Sequence, residues 1–176
     1  MKTSTIFPQL PTILSLALFI SFGLSGCAST YYSNVGQRAS EEFIIPAETA
    51  AHSQQWQTND LKINYDIRNT QESFTVSGTV SMNKFITHSF PAAERFRLFI
   101  NYLDRNGTAL STADISPLIG YRRDVPEKMK LRNVPLAPPE ATAFTFSYIG
   151  TFTGGNNADE NSGDWEVYFT PFNNGM

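Results

Sequence analysis

The chain has a single cysteine, Cys27, and two histidines, His52 and His88. One cysteine excludes an internal disulfide, so the fold must be held by packing rather than by covalent staples. So few cysteines and histidines also exclude a structural zinc site, which takes four such ligands. Charge is sparse, at 16% of residues, and the formal net charge is −3. The basic footprint that nucleic-acid binding leaves is therefore missing. There is no Gly-x-Ser-x-Gly elbow, and neither histidine sits in a recognisable catalytic or metal-binding pattern. These absences predict no enzyme, no cofactor and no nucleic-acid partner. No repeat recurs at a fixed period. The densest apolar run, Ile13 to Phe22, is about ten residues, short of the roughly 20 that a membrane-spanning helix needs.

What is present begins at the N-terminus. Lys2 is the only charged residue before Arg38. Between them, Ile6 to Leu24 is almost wholly apolar or small, with Pro8 and Pro11 disrupting helix near its start. A charged start followed by a short apolar centre suits an export signal. The run ends Leu24-Ser25-Gly26-Cys27. These four residues resemble the lipobox of bacterial lipoproteins: an aliphatic residue, a small one, Gly or Ala, then Cys.

The resemblance implies that signal peptidase II recognises Leu24, Ser25 and Gly26 and cuts before Cys27. It further implies a diacylglyceryl group on the Cys27 sulfur, fatty acylation such as palmitate on the new amino group, and the lipid bilayer as a partner. Two or more acyl chains give stable anchoring where one is marginal. Ala28 follows the cysteine, where Asp tends to retain enteric lipoproteins at the inner membrane. The expected location is thus the periplasmic face of the outer membrane. A plain signal peptide with a chance cysteine, or an uncleaved anchor, are the alternatives.

The expected organisation is a lipoprotein signal peptide over 1–26, a lipidated N-terminus and flexible tether over 27–42, and one domain over 43–176. The mature chain, about 150 residues, suits one ordinary domain. Tyr31 and Tyr32 lie in the tether, near the membrane or at headgroup level. In 43–57, Pro46 suggests a short helix over Ala47 to Gln55.

From residue 60 the period is two. Leu61, Ile63, Tyr65 and Ile67 alternate with polar residues, as do Phe74, Val76, Val80 and Met82. Phe96, Leu98, Ile100 and Tyr102 lead into Asn106-Gly107, a hairpin signal of the type I′ turn, in which both central residues have positive φ. Phe99 and Leu103 make the second face apolar, which predicts a central or covered strand. Residues 128–134, 141–152 and 164–172 read as further strands, and 116–127 as a long loop. The expected fold is all-β: a single immunoglobulin-like antiparallel β-sandwich of about seven strands. A partly open barrel is the alternative.

The hairpin LFINYLDRNGTALS is also similar to the central motif of FxLYD-type β-sandwich domains. Ile100, Tyr102, Leu103 and Asp104 occupy the motif positions, which implies the same class of fold.

Three features invite a binding reading. The loop 154–166 carries Asn156, Asn157, Asp159, Glu160, Asn161, Asp164 and Glu166, hard oxygens of the kind calcium takes, without EF-hand spacing. A solvated loop is the plainer reading. Tyr121-Arg122-Arg123 with Lys128, Lys130 and Arg132 form either an anion-binding patch or a charged edge strand. Trp56, Tyr121, Tyr148 and Tyr168 suggest an aromatic groove for a small ligand or glycan. The function expected is a membrane-anchored envelope lipoprotein whose non-catalytic domain serves as a binding or assembly accessory for other envelope components. The alternative is a small-ligand or glycan-binding periplasmic module.

Overall fold

The computed structural model describes residues 32–48, 53–120, 123–154 and 163–172. Leu24, Ser25, Gly26 and Cys27, together with Tyr31, His52, Tyr121, Arg122 and most of the acidic loop, lie outside the described residues. The folded unit begins at Ser33.

Two antiparallel sheets face each other. In chain order the strands are β1 (Ile45–Pro46), β2 (Gln54–Gln57), β3 (Leu61–Asn69), β4 (Phe74–Met82), β5 (Ala92–Leu103), β6 (Ala109–Asp114), β7 (Arg123–Asp124), β8 (Met129–Lys130), β9 (Ala143–Thr153) and β10 (Asp164–Phe169). A short helix, α1 (Lys84–Ser89), joins β4 to β5 and carries the chain from one sheet to the other. The first sheet is built on the β5–β9 pair, which runs in register from Ala92↔Thr153 to Leu103↔Ala143 with one irregularity. β1 and β10 share the free side of β9, and β6 and β7 share the free side of β5. The second sheet has the order β2-β3-β4-β8.

The protein is thus an all-β sandwich. Among the described residues, seven strands have four residues or more, and three are two-residue pairings. Alternation explains the core. Leu61, Ile63, Tyr65 and Ile67 of β3 and Phe74, Val76, Val80 and Met82 of β4 meet Leu98, Ile100 and Tyr102 of β5 and Phe144, Phe146, Tyr148 and Phe152 of β9. Aromatic rings interlock edge to face, among them Tyr65 with Phe144 at 5.6 Å and Phe74 with Tyr102 at 5.6 Å. This geometry adds to the area that each ring buries.

The structure corrects four sequence expectations. Residues 47–55 do not form one helix: Ala47 and Glu48 turn, and Gln54–Gln57 is a strand on Tyr65 to Lys62. Trp56 on that strand is pulled into the core beside Phe146, 5.4 Å away. The segment expected as a tether, 27–42, is part of the fold from Ser33 onward. Gly36 N–H donates to Ala109 O at 2.8 Å, Ala39 N–H to Gly107 O at 2.9 Å, and Ser40 N–H to Pro171 O at 2.8 Å. Backbone pairing of this kind does not depend on apolar side chains, which is why a polar stretch joins the sheet. The expected strand over 128–134 shrinks to Met129–Lys130, with Arg132 N–H bonding instead to Ile115 O at 3.2 Å.

The fourth correction is the hairpin. Gly107 alone of its pair has positive φ, at +76°. Gly107 N–H bonds to Asp104 O at 3.1 Å, and Asp104 Oδ1 accepts from the N–H groups of Asn106 and Thr108, both at 2.8 Å. The carboxylate of Asp104 organises a longer turn with a bulge at Tyr102/Leu103, in place of the two-residue type I′ turn.

Candidate functional site

The end of the sandwich that carries α1 gathers exposed groups. Asn83 sets the helix: its Oδ1 accepts from Phe85 N–H at 2.9 Å, and its Nδ2 donates to Asn59 O at 2.9 Å. This cap fixes the helix to the β2–β3 turn. Ile86 is then buried, and the two flanks of α1 face different ways.

On one flank, Lys84, Thr87 and His88 line an open cleft of about 480 Å³ with Met82, Asp124 and Glu127. Met82, Lys84 and Glu127 also border a second cleft of about 310 Å³, reaching Thr58, Lys62 and Asn83. On the other flank, Phe85 meets Phe90 and Trp165. Phe90 and Trp165 stack with centroids 5.5 Å apart, and Phe85 stands edge-on to Trp165 at 5.4 Å. Phe85 is 55% exposed and Trp165 38%.

His88 is exposed and shares its cleft with Asp124 and Glu127. Among the described residues, no group of three His, Cys, Asp or Glu side chains is placed to hold a metal ion. Of the acidic loop only Asp164 and Glu166 are described in this respect, both exposed on β10.

Tyr121 lies outside the described residues, and the other three residues proposed for an aromatic groove do not come together as one. Trp56 and Tyr148 are core residues, buried because both lie on inward positions of their strands. Burial pushes the Tyr148 phenol well above its ordinary range; the Asp60 carboxylate adds to the shift, and a hydrogen bond from Thr58 offsets part of it. Tyr168 is exposed, on the outward face of β10. The rings that do cluster at the surface, Phe85 and Phe90 from α1 and its C-terminal cap and Trp165 from β10, come from two distant places in the chain.

Of the basic residues, Lys128, Lys130 and Arg132 are all exposed along β8 and its continuation. β8 is an edge strand beside β4. That placement is the one in which charge blocks edge-to-edge pairing.

Among the described residues, no helix is long and apolar enough to cross a membrane. No family model matches this chain, and no curated protein or solved structure shows significant similarity to it.

Proposed function

We propose that this chain is a lipid-anchored protein of the bacterial envelope whose β-sandwich is a non-catalytic binding or assembly accessory. The observation that carries this reading is Leu24-Ser25-Gly26-Cys27 standing directly after a short apolar run that follows a single N-terminal charge. The start of the folded unit at Ser33 supports it, because a cut before Cys27 falls outside that unit. Cys27 is the attachment point, and Leu24, Ser25 and Gly26 form the recognition site for signal peptidase II. The lipid bilayer is the first partner, at the periplasmic face of the outer membrane given Ala28. A second partner among envelope proteins fits the exposed groups at the α1 end.

Intact mass of the membrane-extracted protein tests the anchor. A chain starting at residue 27 with added diacylglyceryl mass, absent from Cys27→Ser, is the expected result. An unmodified mass in the wild type would leave an exported domain with a free thiol and remove the basis of the proposal.

A further inference from the structure

Two edges of the sandwich carry opposite charge. Among the described strands, β10 pairs only with β9, and β8 only with β4. On β10, Asp164 and Glu166 are exposed and alternate with Trp165 and Val167. Along β8 and its flanks, Lys128, Lys130 and Arg132 are exposed and alternate with the buried Met129 and Leu131. None of these charged side chains has an ion-pair partner among the described residues. We infer that β10 of one copy of this chain pairs with the β8 edge of a second copy.

The backbone leaves the matching groups free. Residues of an antiparallel ladder alternate between facing the partner strand and facing away. Leu131 N–H donates to Gly78 O at 3.0 Å and so faces β4. The N–H and C=O groups of Lys128 and Lys130 therefore face outward. Arg132 N–H, on that same side, already bonds to Ile115 O at 3.2 Å, so the open stretch ends at Lys130. On the other sheet, Ile115 N–H donates to Leu98 O at 2.8 Å, which turns the even-numbered residues of β5 toward β6 and the odd ones toward β9. Phe99 and Asn101 stand opposite Ser147 and Thr145, so the even residues of β9 face β10. Their partners there are Trp165, Val167 and Phe169. Asp164, Glu166 and Tyr168 thus turn their backbone groups to the open side.

One register meets both demands. Every pairing in the two sheets is antiparallel. An antiparallel addition that sets Lys130 opposite Asp164 and Lys128 opposite Glu166 brings outward-facing backbone to outward-facing backbone. Met129 then stands opposite Trp165, on the core side of both sheets, and the charges share the solvent side. Opposite charges across a ladder favour pairing and like charges oppose it. Two β8 edges repel each other, as do two β10 edges, so charge that guards each edge against its own kind selects the other. The contact is heterologous: each copy keeps one edge open, and copies add in a row. So small a contact gives a weak association that salt screens.

The test uses the full-length chain purified in detergent, as an equal mixture of unlabelled and heavy-isotope protein. A zero-length carbodiimide joins lysine amines to carboxylates, and mass spectrometry of the digest reads which residues are joined and whether they come from two copies. The expected links join Lys128 and Lys130 of one copy to Glu166 and Asp164 of another, and high salt lowers them about fivefold or more. Lys128→Glu with Lys130→Glu makes both edges acidic, and Asp164→Lys with Glu166→Lys makes both basic. All four positions are exposed, so the fold is kept. Each doubly substituted chain should fail to associate alone, and an equal mixture of the two should link again at the substituted positions. Links confined to single copies, linking of either substituted chain alone as in wild type, or a mixture that restores nothing would each overturn the inference. None of these outcomes involves Cys27, so the anchor reading stands or falls separately.

Discussion

Tyr148 Oη on β9 donates a 2.7 Å hydrogen bond to Asp60 Oδ2, and Thr58 Oγ1 lies 2.7 Å from the same phenol oxygen. Thr58 and Asp60 belong to the β2–β3 turn of the second sheet, so this phenol ties the two sheets together at the rim of the core. A bond to a charged acceptor contributes more than a neutral one, and the ring itself packs on Trp56 and Phe169. Tyr148→Phe keeps the packing and removes the link. The expected loss is about 1.5–3 kcal/mol, read as a lower urea midpoint at constant slope. A midpoint unchanged from wild type would mean that water replaces the phenol without cost.

The turn after β5 makes a sharper demand. Gly107 has φ of +76°, and a Cβ built on it would lie 2.7 Å from Ile44 Cδ1. Gly107→Ala therefore meets both a left-handed backbone penalty, about 1–2 kcal/mol, and a side chain that must shift. Gly107→Asn, which tolerates that backbone better, should be no worse than the alanine variant if backbone strain dominates. A thermal melt of both separates strain from crowding: crowding predicts the larger residue to be the more damaging.

Much of this fold was legible in the residues themselves. The alternation of Leu61, Ile63, Tyr65 and Ile67, and of Phe74, Val76, Val80 and Met82, gives both strands within a residue of their observed ends. The two-sided burial of β5 was legible too, in Phe99 and Leu103. Helix α1 was not, because six residues are fewer than two turns and leave no period to detect, and its only core residue is Ile86. The candidate site was hidden for a different reason. Phe85, Phe90 and Trp165 are brought together by sheet topology, and Trp56 and Tyr148 are taken inward by the same topology. The anchor motif, by contrast, is local and needs no fold to be read.

The N-terminal segment should matter for stability. Asn34 is buried, and its Nδ2 donates to Asn101 Oδ1 at 3.0 Å; Asn101 is itself fully buried and passes its own Nδ2 to Ser147 Oγ at 3.0 Å. Thr112 Oγ1 also donates to Asn101 Oδ1 at 2.8 Å. Asn34→Ala removes one donor from this network and leaves Thr112 in place. The expected cost is about 1 kcal/mol, toward the low end for a buried hydrogen bond. Hydrogen exchange at Gly36 and Ala39 should quicken in the variant. Unchanged exchange would mean that the backbone pairing holds the segment without Asn34.

Asp114 gives the molecule a dependence on acid. Burial raises its pKa, but hydrogen bonds from Ser116 and the Arg97 guanidinium outweigh that and hold the carboxyl below its ordinary value. Arg97 donates twice to Asp114 Oδ2, at 2.9 and 2.7 Å. With the folded value depressed, the stabilisation is present above the unfolded carboxylate pKa and is lost as pH falls through the folded one. The pair is partly exposed, so its share is about 1 kcal/mol or less. Asp114→Asn should flatten the fall in melting temperature between neutral and acid pH. A variant that loses stability as steeply as wild type would place the acid sensitivity elsewhere.

Thr145 poses the opposite case. It faces Asn101 across the β5–β9 pair, is fully buried, and its Oγ1 has no hydrogen-bond partner. A buried hydroxyl without a partner carries its desolvation cost uncompensated, of order 1–3 kcal/mol. Valine has nearly the same shape and no such cost, and it is at least as well suited to a central strand. Thr145→Val should therefore raise the urea midpoint, whereas most buried substitutions lower it. A lower midpoint would show that the hydroxyl is satisfied in solution, by a water on the outer face of the sheet. Asn101 and Ser147 would then belong to a hydrated network there, since both already bond to each other beside Thr145.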